Sequence, residues 1–223
     1  MSRTPKEFHG DRKVGRSFLN VIDICVRNLL LPRVPQWCET YHLTLLTILW
    51  SCLVVIAGWL AGDNIQWLWL SSGAIVLQYV TDLLDGAVGR ARNTGLVKWG
   101  YFMDHFLDYV FLCAIVIGYA FLFKEQYAYL HLALLAIYGA FMVNAFLAFG
   151  ATNAFRISFL GIGPTEARLA FVTINTLLIV FGRTFLAPFI PWLIGVAMLC
   201  LVIVVYRTQR VIWNVDMQEK RSA

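Results

Sequence analysis

Residues 82–108 read DLLDGAVGRARNTGLVKWGYFMDHFLD, and this stretch decides the fold. Four carboxylates, Asp82, Asp85, Asp104 and Asp108, lie inside two runs that are otherwise apolar and long enough to cross a bilayer. Asp82 and Asp85 are three residues apart, and Asp104 and Asp108 are four apart. Residues at those spacings share one face of an α-helix. The connection between the runs, Ala91 to Leu96, is short. It predicts antiparallel neighbouring helices with both acidic pairs near the same end, so that four carboxylates converge on one cavity.

Such a cluster is expensive. A carboxylate costs about 2.5–3.5 kcal/mol at the centre of a spanning helix, and an ionisable group at membrane depth points to function by default. Two unit charges about 5 Å apart repel by roughly 3 kcal/mol at an effective dielectric of about 20. Protons or cations must therefore neutralise the group. Carboxylate oxygens are hard ligands that suit Mg²⁺, Mn²⁺ or Ca²⁺. His105 is turned about 100° from Asp104 around the helix, which argues against a zinc-type site. Gly86, Gly89 and Gly100 flank the acids, and glycine at such positions lets another group approach the backbone closely. Arg90 stands one turn beyond Gly86 and brings a guanidinium fork that matches phosphate oxygens.

The rest of the chain is built around this stretch. It has 223 residues, of which 60% are hydrophobic, and a mean hydropathy of +0.69. Soluble domains are nearer half apolar. Six segments have the roughly 20 apolar residues that a spanning helix needs: 43–62, 66–89, 97–122, 127–150, 166–182 and 186–206. Sixteen of the 18 Lys and Arg fall before the first segment, in the second and fourth connections, at the starts of the third and fifth segments or after the last one. Only Lys124 and Arg183 fall on the other side. The positive-inside rule then puts both termini in the cytoplasm, and an even number of spans agrees. The net charge of +5 is thereby assigned to a membrane surface and not to nucleic acid.

Before the first span, Phe18, Ile22, Cys25, Val26 and Leu29 repeat with helical spacing, with Arg16, Asn20, Asp23 and Arg27 on another face. The pattern predicts an amphipathic helix lying in the cytoplasmic interface, ended by Pro32 and Pro35. No short apolar core with a small-residue cleavage site marks a signal peptide. The expected organisation is an N-terminal cytoplasmic segment over 1–42, a six-helix transmembrane domain over 43–206 and a basic cytoplasmic tail over 207–223. Five scattered cysteines form neither a disulfide framework nor a zinc site. Gly163-Pro164-Thr165-Glu166 reads as a helix start with Thr165 as N-cap, and Glu166 is a candidate for an acceptor pocket. Thr44 is a candidate substrate contact at the start of the first span.

With these residues in view, the chain resembles the CDP-alcohol phosphatidyltransferases, whose signature is D-x2-D-G-x2-A-R, then eight or nine residues, then G-x3-D-x3-D. Here it reads Asp82, Asp85, Gly86, Gly89 and Arg90, nine residues, then Gly100, Asp104 and Asp108. Seven of the eight fixed positions match; Gly89 stands where the family has Ala, and a smaller residue there still admits a nucleotide. The resemblance implies an all-α integral membrane enzyme of phospholipid biosynthesis, in a bacterial-type inner (plasma) membrane and working as a homodimer. It implies Mg²⁺ or Mn²⁺ bound by Asp82, Asp85, Asp104 and Asp108, with Asp108 also acting as general base. Gly86, Gly89 and Gly100 then receive the cytidine nucleotide, and Arg90 holds its phosphates. The expected reaction passes a substituted phosphate from CDP-diacylglycerol to an alcohol and releases CMP. A CDP-linked headgroup with diacylglycerol as acceptor is the alternative. A carboxylate-based metal or proton transporter would explain the acids but neither the glycines nor Arg90.

Overall fold

The sequence pattern of long apolar runs broken by short polar connections folds into helices alone among the described residues. The computed structural model describes residues 18–93, 96–123, 127–152 and 163–222. The basic residues before Phe18, Lys124 and Arg156 lie outside them. The elements are α1 (Asn20–Leu30), α2 (Thr40–Ala61), α3 (Leu68–Arg92), α4 (Val97–Ala120), α5 (Ala128–Thr152), α6 (Pro164–Phe181), α7 (Arg183–Leu186) and α8 (Ile190–Ser222). From α2 to α6 each long helix begins and ends within three residues of the segment expected from sequence. Five stretches among the described residues are long and apolar enough to cross a membrane: Thr40–Ala61, Val97–Ala120, Tyr129–Thr152, Pro164–Phe181 and Arg183–Gln218. Helix α3 is as long, but Ser71, Ser72, Gln78, Thr81, Asp82 and Asp85 lower its hydropathy and leave it outside that set. Helix α8 runs on through the basic residues after Tyr206 without a break.

Helix α2 is the hub. Its N-terminus is closed by a capping box in which Glu39 accepts from the N3 amide and the Glu39 amide donates to His42 Nδ1 at 3.0 Å. At its other end Arg183 donates to the carbonyls of Ala61 and Gly62 at 2.5 and 2.7 Å, a cation placed where the helix dipole is negative. Both α3 and α4 pack on α2, α6 packs on α3, and α5 packs on α4 and α8. Val54, Ala74, Ile75, Phe111, Ala114, Ile115 and Phe171 form the central apolar cluster. The short connection led us to expect α3 and α4 side by side; instead they touch little along their length, with α2 packed against both. Helix α2 takes up the contact instead, because its small buried residues Ser51, Ala57, Gly58 and Ala61 let neighbouring helices approach closely.

The α2–α4 crossing is close because it is made by two glycines. A Cβ added to Gly58 would sit 2.4 Å from Gly118 Cα and 2.6 Å from its carbonyl oxygen. Small residues allow such backbone approach between membrane helices. Gly58→Ala is therefore expected to cost about 3 kcal/mol, at the upper end of overpacking effects. The readout is the unfolding temperature in detergent, with Gly73→Ala as control, since none of the described residues lies within 4 Å of a Cβ there. An unchanged transition in Gly58→Ala would rule out this crossing.

The N-terminal part is tied down by polar contacts. Arg92, near the end of α3, donates to the carbonyls of Val34, Pro35, Gln36 and Cys38 and so fixes the segment between α1 and α2. Asp23 of α1 accepts from Tyr79 Oη at 2.8 Å and from Thr165 Oγ1 at 3.2 Å. Glu166 accepts from the Leu19 amide at 2.9 Å and the Gly163 amide at 2.8 Å. The helix-start reading is thus corrected: Gly163 is the N-cap of α6, with Pro164 in its first turn. Thr165 does not cap because its hydroxyl is drawn to Asp23, and Glu166 serves the α1–α6 junction. On its other side α1 leaves Val21, Ile22, Ile24 and Leu29 exposed.

Candidate active site

Three helices bring their polar faces together at one end of the bundle. Asp82 comes from α3, Asp104 and Asp108 from α4, and Arg168 from the first turns of α6. Asp82, Asp104 and Asp108 each place a carboxylate oxygen within 4.8 Å of the other two. That donor set, hard oxygens from two helices at mutual distances one cation can span, fits a divalent ion of the Mg²⁺ or Mn²⁺ kind. The i, i+4 spacing read from sequence is what puts Asp104 and Asp108 on one face.

Asp85 is placed differently. It is buried, and its Oδ2 accepts from Thr44 Oγ1 of α2 at 2.9 Å, while its Oδ1 takes its neighbour's amide at Gly86. Thr40 Oγ1 donates to the Asp85 carbonyl at 3.2 Å. The fourth acid is therefore fixed by α2, beside the group of three and outside its mutual 4.8 Å. Each of its oxygens keeps a further lone pair for a cation. Thr44 is explained by this contact: it orients a carboxylate.

Arg168 supplies the positive charge. It is 8% exposed, and its Nη2 lies 3.0 Å from Asp82 Oδ2 and 3.2 Å from Asp108 Oδ1. In the sequence it is, with Arg156, a candidate cation for the cavity, from its place at the start of the fifth span. A charge-assisted bridge between two carboxylates on different helices locks α3, α4 and α6 together at the site. Gln78 was missed altogether. It is fully buried one turn before Asp82, and its Nε2 donates to Asp108 Oδ1 at 3.3 Å. An uncharged amide four residues from an intramembrane acid was the available signal. His105, expected off the acidic face, still reaches back: its Nδ1 lies 3.3 Å from Asp104 Oδ2, and its ring packs on Tyr101 with centroids 4.5 Å apart.

The glycines border this group. Helix α3 continues through Gly86 and Gly89 to Arg92, where Asn93 ends it in the left-handed conformation, φ 52°. The Arg90 side chain folds back over Gly86, so that a Cβ there would lie 3.2 Å from Arg90 Nη1. Among the described residues nothing lies within 4 Å of a Cβ added to Gly100, so none of them covers the α4 backbone there. Carboxylates for a cation, an Arg fork and exposed helix backbone thus occupy one end of α3 and α4, the equipment needed to hold a diphosphate ester.

No curated protein matches the sequence at a significant level. A family model does: residues 41–210 match that of the CDP-alcohol phosphatidyltransferases, a stretch that contains the acidic group, the glycines, Arg90 and Arg168. The chain therefore belongs to the CDP-alcohol phosphatidyltransferase family, membrane enzymes that transfer a substituted phosphate from a CDP-alcohol.

Proposed function

We propose that this enzyme transfers a phosphatidyl group from CDP-diacylglycerol to a polar alcohol, releasing CMP, at a divalent-metal centre built on Asp82, Asp85, Asp104 and Asp108. The observation that carries the reading is the meeting of three carboxylates within 4.8 Å beside Arg168, in a family that is in general divalent-metal dependent. Asp82, Asp104 and Asp108 hold the cation, and Asp85, braced by Thr44, completes the set. Bound Mg²⁺ or Mn²⁺ supplies neutralisation of the diphosphate charge as CMP departs. Arg90 grips the phosphates, and Gly86, Gly89 and Gly100 let the cytidine nucleotide lie against the helix backbone. Asp108 takes the proton of the acceptor hydroxyl. Its Oδ1 is engaged by Gln78 and Arg168, which fixes the carboxylate's orientation for that step.

In the same reading α3 crosses the membrane with the five more apolar stretches, making six spans over 43–206. Both termini are cytoplasmic in this reading, the arrangement that the Lys and Arg distribution favours. Helix α1 lies in the cytoplasmic interface, with its exposed Val21, Ile22 and Leu29 towards the acyl chains. The active site then opens where a soluble nucleotide and a lipid tail can both be accommodated, in a bacterial-type inner membrane. The largely exposed apolar surfaces of α5 and α8 face lipid or a second subunit of a homodimer.

The test is a substrate screen. Purified enzyme in lipid with Mn²⁺ and CDP-diacylglycerol is expected to release CMP with one or a few polar alcohols. Release only from a CDP-linked headgroup with diacylglycerol would reverse the donor assignment. Metal flux across a vesicle membrane with no nucleotide turnover would overturn the enzyme reading of the acids. Arg90→Ala is expected to weaken CDP binding roughly tenfold or more, the loss of a charge-assisted contact of about 1.5–3 kcal/mol. Unchanged CDP affinity by calorimetry would remove Arg90 from the phosphates.

A further inference from the structure

We infer that Asp23 of α1 is a positioning residue for the reaction: its carboxylate clamps α3 to α6 about one helical turn from the Asp82–Arg168 pair. Tyr79 of α3 donates to Asp23 Oδ1 at 2.8 Å. Thr165 of α6 shares its hydroxyl hydrogen between Oδ1 and Oδ2, each at 3.2 Å. Tyr79 stands three residues before Asp82, and Thr165 three residues before Arg168. Residues at that spacing share a helix face. The 3.0 Å contact of Arg168 with Asp82 and the bridge through Asp23 therefore join the same two helices on the same faces, about 4.5 Å apart along each axis. Asp23 lies before residue 41, where the family match begins.

Tethering α1 does not call for such an arrangement. Glu166 already holds the start of α1 through the Leu19 amide at 2.9 Å, and Arg92 holds the segment after it through four carbonyls. Asp23 instead joins two other helices to each other. It does so at the first turn of α6, where a carboxylate suits the positive end of the helix dipole. Deeper in the bundle Asn175 Nδ2 of α6 donates to Ser72 Oγ of α3 at 3.1 Å. Arg168 thus sits on α6 between two ties to α3. Both ties resist a turn of α6 about its axis, which would carry the guanidinium away from Asp82 Oδ2 and Asp108 Oδ1. The inference rests on the proposed roles of Asp82 as cation ligand and Asp108 as base, the two carboxylates that Arg168 orients.

The experiment compares Tyr79→Phe, Thr165→Val and the double variant. Each single change removes one jaw of the clamp and leaves Asp23 bonded to the other helix. CMP release from CDP-diacylglycerol is measured with glycerol or serine as acceptor, whichever turns over. Each single variant is expected to lose about tenfold in kcat, the low end of what outer-shell partners contribute, with the KM for CDP-diacylglycerol moved by less than about twofold. The double variant is expected to lose no more than the single ones, because a clamp with one jaw holds nothing. Losses that multiply in the double variant, or a rise in KM with kcat in place, would make the two bonds independent supports and overturn the inference. The unfolding temperature in EDTA gives a second reading that needs neither substrate nor metal. Tyr79→Phe is expected to lower it in the wild-type protein, and by clearly less in an Arg168→Met background, where no ion pair is left to position. Equal drops in the two backgrounds, the behaviour of uncoupled sites, would also overturn the inference. If Arg168→Met does not fold in EDTA, the kcat pattern decides. No CMP release from the wild-type enzyme with any alcohol would instead count against the proposed function, and the melting comparison would still decide on the clamp.

Discussion

Asp108→Asn is expected to lower kcat by about 10²–10⁴-fold, the usual contribution of a positioned general base, while sparing most of the affinity for Mn²⁺ and for the CDP donor. The substitution keeps the size of the side chain and one oxygen. That oxygen can still accept from Gln78 Nε2 and Arg168 Nη2, which both reach Oδ1 in the wild-type protein. Asp82 and Asp104 remain as carboxyl ligands, and Arg168 keeps its 3.0 Å contact with Asp82. What is lost is the ability to take a proton at the acceptor hydroxyl. Single-turnover CMP release, with Mn²⁺ affinity measured on the same preparation, separates the two effects. Near-normal turnover would exclude Asp108 as the base, and a collapse of metal binding equal to the loss of rate would make it a ligand first.

Arg168→Met has the second largest expected effect, on stability. In the absence of metal the guanidinium is the cation that bridges Asp82 and Asp108. Removing one member of a buried ion pair costs about 3–5 kcal/mol, because the remaining charge is left uncompensated. Here two carboxylates lose the cation they share, with a third carboxylate within 4.8 Å. A divalent cation at the same oxygens replaces the missing charge. The variant is therefore expected to unfold at a markedly lower temperature in EDTA and to recover most of the loss in Mn²⁺. Saturation at about 100 times Kd alone stabilises by about 2.7 kcal/mol. A drop of equal size with and without metal would mean that Arg168 acts through packing and not through charge.

Much of this site is legible in the sequence. The four acids stood out because a carboxylate in a span is costly, and their spacing put each pair on one face. The helix limits followed from the apolar runs, and the family from the order of acids, glycines and Arg90. The partners were not legible, because they depend on how helices rotate against one another. Thr44 joins Asp85 across 41 positions and Arg168 joins Asp108 across 60. Spacing along one helix says nothing of such pairs. The same holds for the contact of Gly58 with Gly118, and for α2 packing on both α3 and α4 where the short connection suggested direct neighbours. Asp85 shows the limit well: a threonine on α2 holds its carboxylate, beside the other three acids and outside their mutual 4.8 Å.

The central claim is that Asp82, Asp104 and Asp108 hold the cation that serves a CDP-linked substrate. Anomalous scattering from crystals grown with Mn²⁺ and CDP tests it most directly. The account predicts a manganese peak within coordination distance of oxygens from all three carboxylates, with the CDP phosphates on the same ion and beside Arg90. A peak bound elsewhere, or CDP held with no ion at these residues, would contradict it.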